Sequence, residues 1–310
     1  MSGESFLSPV FTSVAWQDEF ERVSEYLRRP SSCSIAPGTV SGDNSAVMGR
    51  DGWHYIHQGS NQWLLQARGQ LFLRSEVLKA WCALLASRDS WLKSRGARYA
   101  HIFVPEKIVV LPEHHLEGDE ISPERPVVQI TQNSPVEILY PVDALRKAQS
   151  SAPIWYRSNS HWNWHGAYVA ASILWRHLGF VEGQVRPILR RALREHDLAV
   201  KWPNCVREIF HELDVRALLT FSNDAKIQGH VGRIRQWRNV DAPNSVRVLI
   251  FGDSYAYDHN FAAWFVQQCS EVVCVWYSGI EGNIVELVKP DIVVTQMAER
   301  YAAQIPVDRL

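Results

Sequence analysis

The chain has 310 residues, 46% of them hydrophobic and 21% charged, which is the balance of a folded domain with apolar material for a sizeable core. Its 32 Lys and Arg stand against 33 Asp and Glu, so no net field pulls it toward nucleic acid or an anionic membrane. No apolar run approaches the roughly eighteen residues of a membrane span, and Met1–Ser5 lacks the regions of a signal peptide; as given, the chain reads as cytoplasmic.

In chain order, residues 1–45 read as an N-terminal extension, with a helix expected near 16–28 from Trp16, Phe20, Val23 and Leu27. A domain follows over 46–310. It opens with a turn and hairpin strand at Gly49–Ile56, then a helix at about 74–95 whose face carries Val77, Leu78, Trp81, Leu84, Leu85, Trp91 and Leu92. Tyr99–Val104 reads as a buried strand and 112–126, with three prolines, as a surface loop. Val127–Ile130 and Val136–Tyr140 are further short strands. Apolar spacing predicts a helix from Ala167 to Leu178. The Arg-rich stretch 182–240, including Arg190, Arg191, Arg194, Arg233, Arg235 and Arg238, is expected to be an insertion or flank of short helices with a solvated face. Strand and helix then alternate: strand 246–251, helix about 258–268, strand 272–276, helix about 281–288, strand Asp291–Thr295. This order predicts an α/β fold with a mainly parallel sheet. The cysteines, Cys33, Cys82, Cys205, Cys269 and Cys274, lack metal-ligand spacing, and buried free thiols are expected at Cys269 and Cys274.

The chemistry concentrates at Val246–Tyr255. A strand apolar on both faces ends in Gly252-Asp253-Ser254, which puts a serine hydroxyl at the carboxyl end of a strand, where ligands of open α/β sheets bind. Ser254 is the candidate nucleophile. It needs a base, and His161 suits that role because it stands in a polar run ahead of a helix, with Asn159 two residues earlier on the same face of an extended segment. His161 and His165 are four apart, but no Glu lies between them and no third ligand is evident, so no metal is expected. No glycine-rich phosphate loop occurs, so no nucleotide cofactor is expected, and the basic residues lack the aromatic interleaving of a nucleic-acid platform. Tryptophans surround these motifs, among them Trp53, Trp63, Trp155, Trp162, Trp164, Trp264 and Trp276. They read as core, with a sugar-stacking platform as the alternative.

Five blocks, Gly49–Ile56, Val104–Lys107, Asn159–Trp162 with Gly166-Ala167, Phe251–Tyr255, and Lys289–Val294 leading to Glu299-Arg300, together resemble the SGNH hydrolase superfamily and its alginate O-acetyltransferase, AlgX/AlgJ-like branch. The resemblance implies a flavodoxin-like three-layer αβα sandwich and a Ser-His-Asp triad, with Ser254 as nucleophile and His161 as general base. It implies oxyanion stabilisation by the Ser254 backbone N–H and a second donor, for which Gly279 and Asn283 are the candidates. Tyr255 is either core or a lid over the acyl group, and Trp162 is a substrate candidate. The function implied is acetyl transfer to or from carbohydrate hydroxyls, with a hydroxyl acceptor and an acyl donor as partners. Relatives in this branch are periplasmic.

The triad acid should stand two residues before the histidine, where this chain has Asn159. An amide accepts the Nδ1–H bond but carries no charge for the imidazolium; in a serine protease the equivalent change costs about 10⁴ in rate, roughly 5 kcal/mol. Another carboxylate, with Asp258 and Glu299 as candidates, takes over, or the enzyme is slow, or the domain is a carbohydrate-binding or scaffold module. A small-molecule esterase or acyltransferase is a further alternative.

Overall fold

A computed structural model describes residues 33–58, 61–181 and 233–310, and between them 185, 189–192, 196–202, 205, 210–215 and 221–225. The helix expected at 16–28 lies outside the described residues. A hairpin opens the fold, β1 (Ala46–Met48) against β2 (His54–Ile56). Then come α1 (Trp63–Ala67), α2 (Ser75–Lys93), β3 (Arg98–Val104), α3 (Lys107–Val110), α4 (Pro126–Asn133), β4 (Ile138–Leu139), α5 (Val142–Gln149) and α6 (Trp164–His177). The second half holds β5 (Leu189–Ala192), β6 (Phe210–Leu213), β7 (Phe221–Ala225), β8 (Ile234–Arg238), β9 (Asn244–Gly252), α7 (Ser254–Tyr257), α8 (Phe261–Val266), β10 (Cys269–Trp276), α9 (Gly282–Val288) and β11 (Ile292–Ala298).

Seven strands form one sheet in the order β4-β3-β11-β9-β10-β8-β7. The five from β4 to β10 are parallel, and β8 and β7 extend the sheet antiparallel. Its central strands alternate between two cores. Val248 and Ile250 of β9 join Val272, Cys274, Ile292 and Val294 under α5, α6 and α8. Leu249 and Phe251 face the other way with Val273, Val275 and Val293, against α9 and the end of α2. Burial on both faces explains why these strands read as continuous apolar runs. The result is the α/β fold with a mainly parallel sheet expected from the element order, layered as the family resemblance implies.

Two expectations fail. Val127–Ile130 lies in a helix, because Pro126 occupies the first helical turn and Val127 and Ile130, three apart, bury one side against α2 and β3. The described parts of 182–240 are strands as well as turns, not only short helices. β8 runs against β10, so the sheet satisfies its backbone; Ile234 and Trp237 are buried while Arg238 stays in solvent. Nor is Arg235 a merely solvated charge: it lies 4.1 Å over the Tyr257 ring and donates to the Tyr257 carbonyl at 2.7 Å.

Candidate active site

β9 lies between β11 and β10, and the chain leaves it toward one neighbour before crossing to the other, so its carboxyl end is a topological switch point. Gly252 is required there by close approach, since an added Cβ would meet Gln296 Oε1 at 2.6 Å and the Ala256 Cβ at 2.7 Å. Asp253 caps α7 by accepting from the Tyr255 N–H at 2.9 Å, and its other oxygen accepts from the Ala298 N–H at 2.7 Å. Burial raises the Asp253 carboxyl above its ordinary range, and Arg300 opposes that rise. The Gly-Asp of the motif is thus structural and leaves Ser254 half-buried at the rim. Among the described residues, no acceptor takes the Ser254 backbone N–H.

The histidine arrives on the loop before α6. Asn163 caps that helix with bonds from the His165 and Gly166 N–H groups, and Trp155 bridges to Trp162. The Ser160 carbonyl accepts from Trp155 Nε1 at 3.0 Å and from the Tyr255 hydroxyl at 2.8 Å. Lys107, buried, donates to the carbonyls of His54 at 2.8 Å and Arg157 at 3.0 Å, tying the hairpin to this loop. Arg300 bonds Glu106 at 2.7 Å behind Tyr255, and burial pushes the Glu106 carboxyl up to about 7 despite that partner.

These supports bring His161 Nε2 to 2.7 Å from Ser254 Oγ, across 93 residues of chain. On the far side, Asn159 Oδ1 lies 2.8 Å from His161 Nδ1 and also accepts the His161 backbone N–H at 2.9 Å. Ser160 Oγ is 3.1 Å from the same Nδ1. Asp197 stands beyond, with Oδ2 at 3.5 Å from Nδ1. Its Oδ1 accepts the Ser160 N–H at 2.7 Å, and its Oδ2 accepts the Ser160 hydroxyl. His259 stacks on the His161 ring at 3.7 Å with planes 6° apart.

Sequence reasoning therefore finds Ser254, His161 and Asn159 together, and misses Asp197 and His259. The two carboxylates it named are engaged elsewhere: Asp258 with Arg235 at 3.4 Å, and Glu299 with Arg125 at 2.6 Å. Gly279 packs under the Val307 carbonyl, and Asn283 is exposed on α9, whose buried side faces the opposite core; among the described residues neither hydrogen-bonds to Ser254 or His161. Tyr255 is fully buried and is core, not a lid. Trp162 is buried and donates to the His259 carbonyl at 2.9 Å. Trp53, Trp63, Trp155, Trp164 and Trp264 are buried too, so they fill the core and offer no open indole face. Cys269 and Cys274 are buried free thiols, whereas Cys33 and Cys205 form a disulfide. Among the described residues one group has metal-cluster spacing, Cys33, His54 and Cys205, but its two sulfurs are spent on that bond.

A serine and a histidine thus meet at the strand ends of a three-layer α/β sandwich. Residues 47–187 match the family model described as the SGNH hydrolase-like domain of the acetyltransferase AlgX. None of the curated proteins matches the sequence. Among solved structures, PatB1 of Bacillus cereus with a sulfonyl adduct superposes with a TM-score of 0.61 at 11% identity, over 84% of this chain and 96% of that one. The O-acetyltransferase domain of Pseudomonas putida AlgJ gives 0.54 at 17%, over 85% and 94%. A DHHW family protein from Eubacterium siraeum gives 0.59 at 14%, over 86% and 96%.

Proposed function

We propose that the chain is a serine-dependent O-acetyltransferase acting on carbohydrate hydroxyls. The observation that carries this reading is the 2.7 Å contact between His161 Nε2 and Ser254 Oγ. The described relatives named as acetyltransferases agree with it. Ser254 Oγ attacks the acetyl carbonyl of a donor ester while its proton passes to Nε2. The oxyanion faces the Ser254 N–H, a fixed dipole at the point where charge develops. Collapse breaks the bond to the donor alcohol, which leaves with the proton from Nε2 and an acetyl-serine behind it. An acceptor hydroxyl then gives its proton to Nε2 and attacks the acetyl group, and the bond to Ser254 Oγ breaks as Nε2 returns that proton to Oγ. Water in the acceptor's place makes the same site an esterase.

Hydrolysis of p-nitrophenyl acetate, acetyl transfer to oligosaccharides read by mass spectrometry, and labelling by a fluorophosphonate test this. The wild type should turn over the ester and be labelled on one serine, and Ser254→Ala should lose both. A Ser254→Ala variant as fast as the wild type would end the proposal. Among the described residues, no helix is long and apolar enough to cross a membrane. The Cys33–Cys205 bond favours an oxidising compartment over the cytoplasm as the place of action.

A further inference from the structure

We propose that Asp197 supplies the negative charge that Asn159 lacks, so that the acid function at His161 is divided between two residues. This rests on the serine mechanism above and deepens it. Asn159 Oδ1, at 2.8 Å, accepts the Nδ1–H and thereby leaves Nε2 as the acceptor for the Ser254 hydroxyl. That fixes the tautomer but contributes no charge. When Ser254 gives up its proton, the imidazolium places its positive charge 3.5 Å from Asp197 Oδ2, too long for a hydrogen bond and well within the range of direct attraction. The Ser160 hydroxyl, bonded to that same oxygen and 3.1 Å from Nδ1, bridges the two.

Asp197 is held in place on both sides. Its neighbour His196 bonds Ser158 Oγ at 2.8 Å, and Leu198, Trp202 and Cys205 pack on Ala46 and Met48 of the hairpin. Lys201 pairs with Asp43, and the disulfide joins Cys205 to Cys33. A carboxylate anchored this way is presented at one point, which is what electrostatic support of a transient cation needs. Asp197 touches no reacting atom and is a positioning residue.

Among the described residues, the groups that face the imidazole are Asp197, the stacked His259, Tyr255, Asn159, Ser160 and Ser254. The test measures kcat, KM and the rate–pH profile for p-nitrophenyl acetate in the wild type, Ser254→Ala, Asp197→Asn, and Asp197→Asn with Asn159→Asp. Asp197→Asn keeps the acceptor for the Ser160 N–H and should lower kcat about tenfold to a hundredfold with KM little changed. That is less than the loss at a buried triad aspartate, because the amide still holds the tautomer. Its acid limb should move about one unit to lower pH, since the imidazolium has lost its counter-charge. Asn159→Asp added to it should restore most of the rate. Wild-type kinetics in Asp197→Asn while Ser254→Ala is dead would overturn the role of Asp197 alone. So would a loss that Asn159→Asp does not recover, which would mark Asp197 as scaffolding only. Full activity in Ser254→Ala would instead overturn the serine mechanism beneath it.

Discussion

The Tyr255 hydroxyl donates to the carbonyl oxygen of Ser160 at 2.8 Å, so the residue after the nucleophile holds the residue before the base. This single bond couples the end of β9 to the loop that carries His161. Tyr255→Phe keeps the ring and its contact with His161 but removes the donor, and Ser160 still accepts from Trp155. The expected cost is about 1 kcal/mol of stability, with a several-fold lower kcat as the Nε2 to Oγ geometry loosens. Thermal unfolding and ester kinetics on the same variant check it.

Lys107 should matter more for stability than its place at the start of the short α3 suggests. Its buried ammonium satisfies two carbonyls, one on β2 and one three residues before Ser160. Lys107→Met fills similar space and leaves both carbonyls without that donor, at about 2–3 kcal/mol. Denaturant unfolding should show the lower midpoint. Saturating substrate should recover little of the lost rate, because the loop that presents His161 is what has loosened.

Breaking the Cys33–Cys205 bond should reach the active site. The bond closes a separation of 172 residues, so its loss costs about 2–5 kcal/mol through the entropy of the unfolded chain. Cys205 lies eight residues from Asp197, in the segment docked on the hairpin. Cys205→Ser, or the wild type in dithiothreitol, should show a lower Tm and a lower kcat. The Asp197→Asn variant, having already lost that charge, should lose proportionally less rate on reduction.

Acid should unfold the protein through its buried histidines. Burial depresses His165 and His115 to about 4 and His54 to about 3, all below the unfolded value near 6.5. Between those values the unfolded chain binds the extra protons, so stability is complete above about 6.5 and is lost as pH falls toward 4. His165, almost fully buried, contributes on the order of 3 kcal/mol over that range. His165→Gln should flatten the dependence of unfolding free energy on pH between 6.5 and 4. An unchanged slope would rule out His165 as a source.

Local pattern was enough to read the parts of the site that are encoded within a few residues. The apolar run of β9 ending in Gly252-Asp253-Ser254 states its own geometry, because a strand buried on both faces and a capping aspartate need only adjacent residues. Asn159 and His161 share a face for the same reason. Val127–Ile130 shows the limit of such reading: four apolar residues suit strand or helix, and packing against α2 and β3 decides.

Asp197 was beyond that reach. It sits among charged residues with no motif around it, and its role exists only because a segment 36 residues past His161 docks on the hairpin and returns a carboxylate to the imidazole. Asp258 is four residues from Ser254 along the chain yet is held by Arg235. Chain order thus determined which strand, turn and loop would present a hydroxyl, an imidazole and an amide. Which charge meets that imidazole was decided by tertiary packing, since Coulombic attraction depends on distance in space and leaves no trace in the spacing of residues along a chain.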